Sequence, residues 1–326
     1  MTFTIILPVF GYSPWISEAV KSVLSQQSKH WKLLIADDGS DETSHRWLQS
    51  KLKELQDERI RWILRPTNFG LFKNLNHAIE DASTDWILLL CSDDTLHPHA
   101  INSLKQLQKS WPEAELILST FDSINADGSL RPPDSSRHHE QLRLDTGLVQ
   151  PEQMVPELLR LGSLNGNLSG MAFSRMHWVK SGPFREDWRH AADWEWMIRA
   201  SEAKPILLNR CPIALVRTHG QQLSIRNRKS GHECEEVAAV VSILLQHPTL
   251  RNEPKAKKWA GHVMQFQLWN LFKSARQGDL NKWVTGIMAI HQSIGIRQTI
   301  LSLMKWLPER LRILINKNKS ILRIDA

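Results

Sequence analysis

Short, nearly unbroken apolar runs alternate with longer amphipathic stretches along the first third of the chain. The runs Thr2–Val9, Trp31–Ala36, Ile60–Leu64, Trp86–Cys91 and Glu115–Thr120 have the length and composition of strands. Their near-continuous apolarity suits strands covered on both faces. Between them, Ser17–Gln26, Thr43–Leu55, Phe72–Ala82 and Pro98–Lys109 carry a helical period, with Pro98 suited to a first helical turn. This alternation predicts an α/β fold, a mostly parallel sheet flanked by crossover helices. The polar segment Asn125–Gly147, with Pro132, Pro133, His138 and His139, has no period and reads as a long loop or lid with solvated histidines. From Met154 to Ser224 the pattern is mixed, and Glu235–His247 and Trp259–Phe272 are helical again. Gly162, Gly166 and Gly170 fall four apart in a segment too polar for a membrane helix, and read as a loop.

The chain has 326 residues, more than one ordinary domain of about 100–200 residues needs. With 41% hydrophobic and 23% charged residues it is globular in composition. Cys91, Cys211 and Cys234 are widely spaced and form no Cys-x-x-Cys pair, which excludes a disulfide framework and a structural zinc site and fits a reducing compartment. The opening run lacks a basic stretch before it and ends at Pro8, far short of the ~20 residues of a membrane span. A first strand and a cytoplasmic location are expected.

The net charge of +7 is unevenly placed. Residues 226–326 hold 17 Lys/Arg against 7 Asp/Glu, whereas residues 1–225 hold 24 against 27. The acidic balance of the larger part argues against nucleic acid as the partner and gives the C-terminal part a separate electrostatic role. There, Ile300, Met304, Leu307, Leu311 and Leu314 recur at spacings of three and four, with Lys305, Arg312 and Lys319 on another face and a kink expected at Pro308. Two readings stand side by side: a peripheral contact with an anionic membrane surface on its inner face, or a helix packed on the preceding domain.

In an open α/β sheet, ligands bind beyond the carboxyl ends of the strands. Three strand endings carry chemistry: Pro8-Val9-Phe10, Asp37-Asp38-Gly39-Ser40-Asp41 and Ser92-Asp93-Asp94. Bunched aspartates stay ionised together when a cation or several donors compensate them, and hard oxygen ligands suit Mg²⁺ or Mn²⁺. Helix caps and turns are the alternative for each run taken alone. No Gly-x-Gly-x-x-Gly follows the first strand and no Gly-x-x-x-x-Gly-Lys-Ser/Thr occurs, which removes the main support for a dinucleotide oxidoreductase or a P-loop phosphotransferase.

Five ordered blocks resemble the inverting nucleotide-sugar glycosyltransferases of family 2, which have the Rossmann-like GT-A fold. They are Thr4 to Phe10, Ser17 to Gln27, Leu34 to Asp41, Asn68 to Ile79 and Leu88 to Asp94. The resemblance implies that Asp38 contacts the nucleotide base over a wall of Pro8, Val9 and Phe10, and that Asp93 and Asp94 serve the ribose and a divalent ion. Cys91 stands where many relatives have an aspartate, and a thiol cannot replace a carboxylate toward Mg²⁺. Asn167 to Arg175 and Ser181 to Asp187 look like the family's acceptor-side strand and turn. Asp193, in His190-Ala191-Ala192-Asp193-Trp194-Glu195-Trp196, matches the family's general base, with Ala192 in place of a common Glu and Glu195 as the rival base. Its alternative role is a helix cap. Trp194 and Trp196 offer flat faces to a sugar or else belong to the core. His219 resembles the late histidine that closes over metal and diphosphate, and Arg217 and Lys73 are candidates for phosphate charge.

The resulting expectation is a sugar-nucleotide-binding half at residues 1–100, an acceptor and catalytic-base half at 101–225 and a basic helical extension at 226–326. The expected reaction is inverting transfer from a nucleoside-diphosphate sugar, with a lean toward UDP, to a glycan or lipid-linked acceptor in polysaccharide or glycolipid assembly. A non-catalytic sugar-nucleotide or glycan binder of the same fold and a nucleotidyltransferase are the rivals.

Overall fold

The computed structural model describes residues 1–326 except 54–55, 133–138, 144, 164–166, 296, 303 and 305–326. The chain divides into two compact units, Met1–Ile225 and Arg226–Ala326. In the first, the strands are β1 (Phe3–Val9), β2 (Trp31–Asp37), β3 (Ile60–Leu64), β4 (Trp86–Leu89), β5 (Thr95–Leu96), β6 (Leu116–Asn125), β7 (Gly147–Val149), β8 (Met171–Ser174) and β9 (Ile206–Thr218). Between them run helices α1 (Ile16–Leu24), α2 (Glu42–Lys53), α3 (Leu71–Asp81), α4 (Ala100–Ser110), α5 (His139–Leu142), α6 (Pro151–Leu161), α7 (Arg175–Ser181) and α8 (Ala192–Ala203). After β9 come α9 (Leu223–Ser230), α10 (His232–Gln246), α11 (Pro248–Arg251), α12 (Ala256–Arg276) and α13 (Leu280–Ile294).

One sheet runs in the order β3-β2-β1-β4-β8-β6-β9-β5, with β7 also pairing β9. The first four strands are parallel, as their apolar runs predict. Beyond β4 the sheet is mixed: β8 pairs antiparallel with both β4 and β6, and β6 returns to a parallel pairing with β9. The expected strand at 115–120 continues to Asn125 because β9, 13 residues long, pairs with it past a register shift. Within the segment expected to be a loop, Asn125 closes a turn through its N–H to Ser129 O at 2.9 Å, and the four-residue α5 is too short to show a period. His138 lies outside the described residues.

The helices cover the sheet by the faces their periods predict. α1 buries Ile16, Ala19, Val20 and Val23, spaced three and four apart. With Phe3, Ile5, Leu7, Leu33, Ile35 and Leu88 they form part of one apolar core. Parallel pairing sends the carboxyl ends of β2, β1 and β4 to the same edge. There Gly39 has φ +72°, and a Cβ at that position would collide with the Thr67 backbone. The turn after β2 therefore fits tightly against the entry to α3.

On α7, Ser174 caps the helix by accepting the His177 N–H at 3.0 Å, and the His177 ring is fully buried. Among the described residues neither ring nitrogen has a hydrogen-bond partner, although Glu115 Oε2 lies 3.8 Å from Nδ1. Burial pushes its pKa down to about 4. Between that value and about 6.5 the unfolded chain takes a proton there and the native ring does not, so stability falls as pH drops through this window, by on the order of 3 kcal/mol. We expect His177→Phe to flatten the acid limb of a melting-temperature profile between pH 7 and 4.5. An unchanged slope would remove His177 as its source.

In the second unit, α10 buries Val237, Val240, Val241 and Leu244, α12 buries Ala260, Met264, Leu268 and Leu271, and α13 buries Gly286, Ile290 and Ile294. A Cβ at Gly286 would collide with Leu271, so α12 and α13 approach closely at that point. Glu233, also buried, accepts from Gln267 Nε2 at 3.0 Å and Arg228 Nε at 2.9 Å, which compensates its charge.

Candidate functional site

The turn after β2 spends most of its acidic groups locally. Asp37 Oδ1 accepts from the Ser40 N–H at 3.0 Å and hydroxyl at 2.5 Å, while its buried Oδ2 has no partner among the described residues. Asp41 takes the Ser44 N–H and hydroxyl at the start of α2, as its helix-cap reading predicts. Asp38, only 4% exposed, accepts from the N–H groups of Phe69 and Gly70 at 2.8 and 2.9 Å, at the entry to α3. Burial raises its pKa against the pull of these two amides. Beside it, Pro8 and Val9 end β1, and the Phe10 ring is 53% exposed.

The acidic pair after β4 is divided in role. Asp94 is buried and its carboxylate is fully engaged: Oδ1 accepts the Arg217 N–H at 2.8 Å, and Oδ2 accepts from Ser169 Oγ at 2.6 Å and Asn167 Nδ2 at 3.1 Å. Burial, and secondly the charge of Asp93, push its pKa up to about 7 in spite of those donors. Asp93 is more open, and its Oδ2 accepts from His219 Nε2 at 2.9 Å. His219 Nδ1 accepts from the Gln221 N–H at 3.3 Å, which leaves the ring proton on Nε2. The imidazole also packs against Trp15, with ring centroids 4.1 Å apart and the planes tilted by 38°.

Cys91 completes the cluster. One ligand atom from each of Cys91, Asp93 and Asp94 lies within 4.8 Å of the others. The thiol is pushed well above its ordinary pKa by burial first, then by the charges of Asp94, Asp93 and Asp193. It stays protonated and donates to Asn167 Oδ1 at 3.7 Å. Two carboxylates that share a confined space with a pKa displaced toward neutrality fit a hard divalent cation, and the thiol adds no anionic ligand.

Asp193, partly exposed, lies in the first turn of α8. The cap position is Ala191, which makes no side-chain cap, so Asp193 does not fill the cap role that was its alternative. Glu195 is only 8% exposed and holds Arg199 at 2.9 and 2.8 Å. Arg199 in turn donates to the carbonyls of Ser181 and Pro183, so Glu195 is committed to the turn before α8.

One open alternative is decided and one sequence expectation is corrected. Trp194 and Trp196 offer no face to a sugar: both are buried, and Trp196 packs against Phe173 and Phe184 with centroids 5.2 and 5.1 Å apart. Arg217, a candidate for phosphate charge, is 1% exposed. Its guanidinium is used up by Glu18 Oε2 at 2.6 Å and by the carbonyls of Asp93, Asn125 and Ala126. Lys73 lies 3.4 Å from Glu186 and over the Phe69 ring and stays 40% exposed, a weak surface pair that does not overturn its candidate role. In the other direction, Asn167 and Ser169 fell within the block that resembles the acceptor-side strand without a role of their own, and Trp15 had none. Beyond that block, their signal was polarity or an aromatic ring in a loop.

The model for glycosyl transferase family 2 matches residues 4–173, more than half of the chain. The chain belongs to that family. Among its relatives are the teichoic acid poly(glycerol phosphate) polymerase of Staphylococcus epidermidis, 24% identical over 200 residues (60% of this chain, 25% of the relative), and the putative glycosyltransferase EpsE of Bacillus subtilis, 30% identical over 129 residues (39% and 46%). The chain spans from 14% to 46% of the length of the first curated relatives it matches. Its fold is similar to that of residues 1–349 of S. aureus TarS, with TM-score 0.60 and 14% identity over 91% of this chain and 82% of that one. The mannosyltransferase PcManGT from Pyrobaculum calidifontis, solved with GDP-Man and Mn²⁺, has TM-score 0.55 and 13% identity over 94% and 86%. This family 2 chain therefore has the GT-A fold, with a helical C-terminal region.

Proposed function

We propose that the protein is an inverting glycosyltransferase that moves a sugar from a nucleoside-diphosphate donor, a UDP-sugar, to a hydroxyl of a glycan or lipid-linked acceptor. One observation carries the reading: the carboxylates of Asp93 and Asp94 and the Cys91 thiol gather within 4.8 Å of one another just beyond β4. Solved structures of similar fold hold sugar nucleotides, UDP-GlcNAc in TarS and GDP-Man with Mn²⁺ in PcManGT. In this reading residues 1–100 hold the donor, with Asp38 and the Pro8, Val9 and Phe10 wall at the base, residues 101–225 hold the acceptor, and 226–326 form an extension.

Inversion needs one carboxylate to take the acceptor proton while the hydroxyl oxygen attacks the anomeric carbon opposite the departing diphosphate. Asp193 has that role. Asp93 and Asp94 would hold Mg²⁺ or Mn²⁺, and His219 would join them through Nε2 once that nitrogen gives up its proton and its bond to Asp93; when bound, the ion would supply Lewis-acid stabilisation of the leaving diphosphate. Arg217 braces this group by its main-chain bond to Asp94 and its side-chain bond to the Asp93 carbonyl.

Thermal unfolding against nucleoside diphosphates and their sugars, with and without Mn²⁺, tests the reading. We expect the largest rise with a UDP-sugar plus Mn²⁺, about 2.7 kcal/mol of stabilisation at a ligand concentration of about 100 Kd. Released UDP is the expected product in the presence of acceptor. Released pyrophosphate would identify a nucleotidyltransferase, and donor binding without turnover a non-catalytic binder.

A further inference from the structure

The C-terminal unit carries a surface of a different chemistry. α12 runs for 21 residues, about 31 Å, without a single Asp or Glu. Its outward residues include Lys258, His262, Phe266, Phe272, Lys273 and Arg276. Phe266 and Phe272 are 42% and 41% exposed, and Trp269 between them is half-buried. Cations sit over two of these rings, with Arg228 5.0 Å from Phe266 and Lys273 5.1 Å from Trp269.

Helix stability does not explain the charge. Lys255, Lys257 and Lys258 stand exposed at the N-terminal end, where the helix dipole disfavours cations; the first turn has no acidic residue, and Glu253 just before it, which accepts the Lys255 N–H at 2.9 Å, is one carboxylate against three lysines. An anionic partner gives them a purpose. Exposed aliphatic side chains in the same unit narrow its chemistry: Leu280, Val284 and Met288 recur one turn apart on α13, and Ile300, Leu301 and Met304 are exposed beyond it. Aromatic rings alone would suit a glycan, whereas leucine, valine and methionine at the surface suit hydrocarbon. Among the described residues no helix is long and apolar enough to cross a membrane, so the contact lies along the surface.

We propose that α12 lies on an anionic lipid bilayer, with Phe266, Trp269 and Phe272 in the headgroup boundary and Lys258, Lys273 and Arg276 beside lipid phosphates. The proposal rests on α12 and does not depend on the transferase reading; the basic stretch with Lys305, Arg312 and Lys319 and the kink expected at Pro308 lie outside the described residues.

Sedimentation of the full chain with phosphatidylcholine vesicles, alone or containing phosphatidylglycerol, tests it. Pelleting is expected only with the anionic vesicles and is expected to weaken as salt rises. The pairs Phe266→Ala with Phe272→Ala, and Lys273→Glu with Arg276→Glu, should each lower binding at least about tenfold. Melting temperature and the donor-induced thermal shift should hold in both. The triple change Lys305→Glu, Arg312→Glu and Lys319→Glu should cost less than either pair. Equal pelleting with neutral vesicles, no pelleting, or wild-type binding by both α12 variants overturns the proposal. So does retention on an anionic polysaccharide, lost in the same variants, in place of vesicle binding.

Discussion

Asp193→Asn is expected to lower sugar transfer by about 10²–10⁴-fold, the range that a positioned general base supplies, while leaving donor binding unchanged. The amide keeps the size and polarity of the side chain and loses the ability to accept the acceptor proton. α8 stays anchored because its cap lies at Ala191 and its packing rests on Trp196 and the Glu195–Arg199 pair. Single-turnover transfer measured beside a UDP titration separates the outcomes. Glu195→Gln, in contrast, loosens the contact with Arg199 and costs stability without removing the base. Full turnover by Asp193→Asn together with dead Glu195→Gln would reassign proton transfer to Glu195.

The largest stability effect is expected at Trp196. Its ring is fully buried against Phe173, Phe184 and His177, and its Nε1 donates to Gly182 O at 2.9 Å. Trp196→Ala leaves a cavity and costs about 3–5 kcal/mol, with the Gly182 carbonyl losing its donor as well. For a unit of this size that lowers the melting temperature by about 10 °C. Trp196→Phe keeps most of the packing and should lose less than half as much. The first turn of α8 carries Asp193, so the alanine variant should also lose transfer at temperatures where it is still folded. A melting temperature within a degree or two of the wild type would mean that this contact does not anchor α8.

The acidic endings were legible because they are local. An apolar run followed at once by Asp37-Asp38, or after Ser92 by Asp93-Asp94, places carboxylates near the exit of a strand whatever the rest of the chain does, and parallel pairing brings these exits to one edge. The period-3.6 spacing of Ile16, Ala19, Val20 and Val23 likewise announced the inner face of α1. α8 gave no such announcement. It is buried nearly all round, with Trp194, Glu195, Trp196, Met197 and Ile198 all covered, and a helix without an apolar stripe does not reveal which residues face a cleft.

Short-range pattern thus placed the carboxylates near the strand exits and set the parallel pairing of the first four apolar strands. The use made of each group came from the packing of distant segments. Asp94 is held by Ser169, 75 residues away, and by the Arg217 amide, 123 residues away, while Asp93 is left to His219. Arg217 passed from candidate phosphate ligand to buried brace through Glu18 and two turn carbonyls. A hydrogen bond depends on where remote backbone returns, and side-chain periodicity along one segment carries no record of that.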